Sequence, residues 1–115
     1  MTFIYHITSQ REWQAAQAAG AYTADSLERE GFIHCSTGEQ VVATANRYYA
    51  GQAGLVLLRI RVEALRAEVR YENLVGGETL FPHIYGPLNL EAVEGAADFA
   101  PGVDGRFSLP DTGFS

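Results

Sequence analysis

The chain has 115 residues, 14 acidic against eight basic side chains, and a formal net charge of −6. That length suits one domain with a single core, and the acidic balance, with eight arginines scattered along the chain and no lysine, supplies no cationic track for DNA, RNA or anionic lipid. It also removes lysine Schiff-base chemistry and the lysine of a phosphate-binding loop, while a lone cysteine, Cys35, excludes an internal disulfide and any multi-cysteine metal cage.

Residues 2–8 alternate with period two, placing Phe3, Tyr5 and Ile7 on one face of a strand and Ile4, His6 and Thr8 on the other. Ser9 stands three residues before Glu12, a capping-box spacing that predicts a helix to about Ala19, closed at Gly20, with Trp13, Ala16 and the later Leu27 as core anchors. Segment 21–30 has no clear period and reads as a loop or short helical turn. GFIHCS at 31–36 reads as a strand with Ile33 and Cys35 on the core face and Phe32, His34 and Ser36 on the other. Cys35 is then a small core hydrophobe. A second box, Thr37 to Gln40, predicts a helix over about Gly38 to Tyr49, with Val41, Ala45 and Tyr48 or Tyr49 inward.

LVLLRIRV at 55–62 begins apolar on both faces, as a central strand does, and then alternates. Strands follow at 69–74 and at 81–88, separated by the Gly76-Gly77 loop, and a last strand lies within LEAVEGAADF. Residues 99–115, rich in Pro and Gly, read as a tail after a domain over 1–98. The order βαβα followed by strands predicts a single α+β domain with a mixed or mainly antiparallel sheet. No apolar run is long enough to cross a bilayer and the start has no secretory pattern, so the expected location is cytoplasmic and no membrane partner is expected.

The only three histidines, His6, His34 and His83, each lie in a strand-like run, where imidazoles titrating near neutrality could share one surface. In GFIHCS the outward pair His34 and Ser36 can hold a substrate hydroxyl or ring. In FPHIYGPL, Pro82 enforces extension, Gly86 permits a close approach or bend, and His83 shares a face with Tyr85. The plainer alternative is that each is a strand histidine satisfied by its own neighbours, and His6 has the weakest claim to function. Glu72 and Glu78 are the available carboxylates, and Glu72, inside a strand beside Tyr71, has less reason to serve solubility. The histidines lack the local spacing of a metal site, so no metal is expected. From alternation alone, His34 and His83 should approach one cleft with Ser36 and Tyr85 on its walls.

The succession IYHIT, REW, GFIHCST, LVLLRI, RYE and FPHIYGPL resembles the bacterial family called domain of unknown function 952, over about residues 3–94. That family is grouped by fold with ADP-ribosyltransferases and RNA 2′-phosphotransferases. The resemblance implies two small sheets and two helices around a cleft for NAD or a related nucleotide. It further implies that His6 matches the ribose-holding polar residue of the first strand, His34 and Ser36 the second motif, and FPHIYG the third, with Thr8 beside His6. The third motif departs from the transferases by offering His83 and Tyr85 in place of glutamate, and Glu72 is the candidate substitute. The implied roles are catalytic for His34, His83 and Glu72, and ligand-binding for His6, Thr8, Ser36 and Tyr85. The partner would be a small-molecule nucleotide with an unspecified acceptor. The alternatives are a nucleotide-binding module without chemistry and a partner-binding domain whose motifs serve packing.

Overall fold

The computed structural model describes residues 1–74 and 76–110. Strand β1 covers Phe3–Ser9, and Ser9 then caps α1, Gln10–Ala19, by accepting from the Glu12 amide at 3.0 Å. Gly20, at φ 90°, ends that helix and turns the chain into the two-residue strand β2, Ala21–Tyr22. The segment without a period thus holds both a short strand and a helix, α2 at Asp25–Glu30, closed by Gly31.

β3 is only Ile33–His34. The predicted strand over 31–36 is cut short because the chain changes sheets. Cys35 still donates to the Pro82 carbonyl at 3.0 Å, but Ser36 exchanges both backbone hydrogen bonds with Tyr5 of β1, at 2.7 and 2.8 Å. Thr37 and Gln40 form a turn in which Gln40 Oε1 accepts from the Thr37 amide, so α3 starts at Val41, later than expected, and runs to Tyr48. Val41 and Ala45 face inward, Tyr49 packs at the core's edge, and Tyr48 is 65% exposed.

β4, Leu55–Arg61, is the centre of an antiparallel sheet ordered β1-β4-β8, with β8 at Val93–Phe99. Its double-sided apolar sequence has a direct cause. Val56, Leu58 and Ile60 join Ile4, Ile33, Cys35 and Ile84 in one core, whereas Leu55 and Leu57 join Ile7, Val41, Ala45 and Phe99 in a second on the opposite face. Phe107 belongs to that second core, its ring 4.7 Å from that of Phe99, so the segment read as a tail reaches back into the packing. Residues 111–115 of that segment lie outside the described residues.

β5, Glu68–Glu72, pairs with β6, Phe81–Tyr85, and β6 with β3, giving an antiparallel sheet ordered β3-β6-β5. The predicted single strand over 81–88 is two strands. Gly86 breaks it, and β7, Leu88–Asn89, pairs instead with β2. A Cβ at Gly86 would lie 2.9 Å from Ala67 Cβ, so the close approach read from this glycine is a backbone-to-side-chain contact. Among the described residues the domain is therefore α+β with three antiparallel sheets and three α-helices, where two sheets and two helices were expected. No helix among the described residues is long and apolar enough to cross a membrane.

Candidate functional site

A cleft of about 660 Å³ opens between β1 and the segment running from β3 to Ser36, with α1, α2 and the end of α3 at its sides. That volume lies within the range of small-molecule sites. Its lining includes His6, Thr8, His34, Ser36, Glu72 and His83, so six of the seven singled-out residues share one wall system.

His34 and His83 are brought together by register: they are directly paired across β3 and β6, with ring centres 5.5 Å apart. Each imidazole is held by a carboxylate. His83 Nδ1 lies 3.1 Å from Glu72 Oε1, and His34 Nε2 lies 2.9 Å from Glu30 Oε2. Carboxylates only accept, so the proton of neutral His83 sits on Nδ1 and Nε2 is a lone-pair nitrogen, while in His34 the two nitrogens exchange roles. The two rings differ in setting. His83 is 5% exposed, whereas His34 is open to solvent. Phe32, also buried, packs against both and against Tyr85, with centroid distances of 4.9, 4.6 and 5.3 Å to His34, His83 and Tyr85.

Glu72 is the anchor of this group. Tyr85 donates its hydroxyl to Glu72 Oε1 at 2.5 Å, and this bond, followed by that from His83, holds the carboxyl below its usual pKa while pushing the Tyr85 hydroxyl up. Both donors use one oxygen, and among the described residues Oε2 accepts no further bond. Tyr85 was expected on the cleft wall. It lies outside the lining and acts through Glu72, because the Glu68↔Tyr85 pairing puts it at the far end of β6 from the cleft.

His6, read as the weakest candidate, is the most constrained. Nδ1 lies 2.6 Å from the His34 carbonyl oxygen and Nε2 2.8 Å from the Tyr22 hydroxyl, which is itself 3.1 Å from Thr8 Oγ1. A carbonyl can only accept, so neutral His6 carries its proton on Nδ1 and takes the Tyr22 proton's hydrogen bond at Nε2. The Thr8 hydroxyl then donates to Tyr22. Burial lowers the His6 pKa to about 4 and raises that of Tyr22 to about 12. Ser36 is buried too, its hydroxyl 3.3 Å from that of Thr44. Cys35 is buried against Ile33 in the core and touches the cleft floor, and burial pushes its thiol pKa up, away from nucleophilic character.

Sequence reasoning missed Tyr22, Glu30 and Glu12. Glu30 carries a usable signal, being four residues before His34. Tyr22 carries none, since its place under His6 depends on the β2–β7 pairing. Among the described residues no group of three or more His, Cys, Asp or Glu side chains is arranged to hold a metal ion.

Fold and site together define a small α+β domain built around a cleft of paired imidazoles and carboxylates. Residues 7–96 match the family model described as protein of unknown function (DUF952), and the chain belongs to that family. It is similar to the crystal structure of protein CC0527 from Caulobacter crescentus, at 41% identity and a TM-score of 0.84 over 94% of this chain and 95% of that one. The solution NMR structure of CC0527 is similar at 42% identity and a TM-score of 0.83, covering 96% of each chain. No curated protein matches.

Proposed function

We propose that the cleft is an ADP-ribosyltransferase-like site that binds the ribose-bearing end of NAD or a related nucleotide and supports displacement at the anomeric carbon. The observation that carries this reading is the placement of Glu72. Its carboxylate reaches the same cleft as His6 and His34, where the third motif of the sequence lacks a glutamate. A carboxylate kept ionised by Tyr85 and His83 suits both jobs such a site requires: accepting from a ribose hydroxyl, and facing the positive charge that develops on the ring as the leaving group departs. In the displacement a hydroxyl nucleophile forms the new bond to the anomeric carbon and the carbon–nitrogen bond breaks. The bonding pair leaves with neutral nicotinamide, and the hydroxyl proton passes to His83 Nε2.

The experiment is calorimetric titration with NAD and ADP-ribose, followed by assay of nicotinamide release with water as acceptor. Saturable binding, with release lost in Glu72→Gln, is the expected result. Absence of binding by every ribosyl ligand refutes the reading. Binding without release in the native chain supports a module that binds without chemistry, a second reading favoured by His6, whose two ring nitrogens are both occupied within the protein.

A further inference from the structure

The cleft's charge is the reverse of what a phosphate needs. None of the described residues lining it is arginine, and the chain has no lysine, so apart from the imidazoles its ionisable acids and bases are the carboxylates Glu12, Asp25 and Glu72, the tyrosines and the buried thiol of Cys35. Helix amides offer no substitute. Glu12 and Asp25 occupy the first turns of α1 and α2, where an anion would otherwise dock, and the Glu12 amide is already bound by Ser9. Two arginines lie over aromatics of the site, one of them on a wall ring of the cleft. Arg47 lies 5.4 Å over the exposed Tyr48 ring, and Arg70 pairs with Glu68 and lies 4.4 Å over Tyr85; neither lines the cleft.

What the walls do offer is aromatic faces. Tyr49 and Phe81 line the same space, and such faces attract a delocalised cation. The Glu12 charge also reaches across it, since it contributes to raising the hydroxyl pKa of both Tyr22 and Tyr49.

Resting on the ribosyl reading above, we propose that the cleft selects a cationic nucleoside, a ribose bearing a positively charged planar base, over phosphorylated nucleotides and dinucleotides. The carboxylates face the base's charge, the Tyr49 and Phe81 rings its plane, and Glu72 the ribose.

The test is calorimetric titration of the full chain with nicotinamide riboside, its neutral dihydro form of nearly equal shape, NAD and ADP-ribose. The riboside should bind on the order of tenfold or more tighter than the dihydro form, and tighter than NAD. Glu12→Gln and Asp25→Asn should each shrink that ratio. NAD or ADP-ribose binding as tightly as the riboside, or equal binding of the charged and neutral forms, overturns the proposal. N-methylnicotinamide cation against nicotinate separates this failure from failure of the ribosyl reading. If no ribosyl ligand binds but the cation is preferred, the ribosyl reading falls and the cationic nucleoside with it, leaving a site for small aromatic cations alone. If the riboside binds no better than its dihydro form, charge selection fails while the ribosyl reading stands.

Discussion

Replacing His6 with glutamine should flatten the dependence of stability on pH between about pH 7 and pH 5. The imidazole is 8% exposed and its pKa is lowered from 6.5 to about 4. Above the higher value neither the folded nor the unfolded chain protonates it. As pH falls below that value the unfolded chain takes up a proton that the folded one refuses, so stability drops until the folded ring also protonates near the lower value. The whole span corresponds to about 3 kcal/mol, and the part between about pH 7 and pH 5 to about 2 kcal/mol. The carboxylates with depressed pKa, Glu30, Glu63, Glu68 and Glu72, lose their contribution at lower pH, as it falls through and below the ordinary carboxylate value of 4.5. Urea denaturation of the native chain and His6→Gln across this window gives the difference directly, because glutamine can still donate and accept but does not titrate. NMR titration of the native imidazoles supplies a second measurement that does not depend on the variant folding. Parallel stability profiles, or a folded-state His6 that titrates near its ordinary value, would refute the argument from burial.

Three further outcomes can be checked by the same denaturation. Tyr22→Phe removes the donor to His6 Nε2 and the partner of Thr8, and should cost about 1–3 kcal/mol, the range for leaving buried polar groups unmade; a loss within error would mean water takes the hydroxyl's place. Gly86→Ala should cost about 1–3 kcal/mol through its 2.9 Å clash with Ala67, with partial recovery in the double variant Gly86→Ala, Ala67→Gly, and no recovery would locate the cost elsewhere. Phe107→Ala should cost about 3–5 kcal/mol if the ring packs on Phe99 as part of the second core, and a surface-sized effect would detach residues 100–110 from the domain.

What could be read in advance was local. Ser9, Glu12 and Gly20 delimit α1 because capping and left-handed closure depend on residues a few positions apart, and the two-sided apolar run at Leu55–Leu58 marks a central strand because burial on both faces leaves no other pattern. Alternation places His34 with Ser36 and His83 with Tyr85 on their strands, but the adjacency of the two imidazoles required the β3–β6 register, which no single strand encodes. The partners that bury His6 could not be read in advance for the same reason. They lie 16 and 28 residues away, and both come from two-residue strands, Tyr22 from β2 and His34 from β3. FPHIYGPL reads as one strand because its composition is uniformly strand-like, while its division at Gly86 shows only in the pairing, β6 with β3 and β5 and β7 with β2.

The exchange between Tyr5 and Ser36, joined by the contact from His6 to the His34 carbonyl, stitches the sheet of β1 to the segment leaving β3. These three bonds, at 2.6–2.8 Å, lie along one seam at the base of the cleft. Behind the seam Ile4 of β1 packs with Ile33 and Ile84 of the other sheet in one buried core, so the floor is held from two sides, while Tyr48 and Leu74 stand exposed at the rim. The His6 imidazole closes that floor from the cleft. Its amide neighbours at Tyr5 and Ser36 belong among the slowest to exchange with solvent, however freely the rim moves.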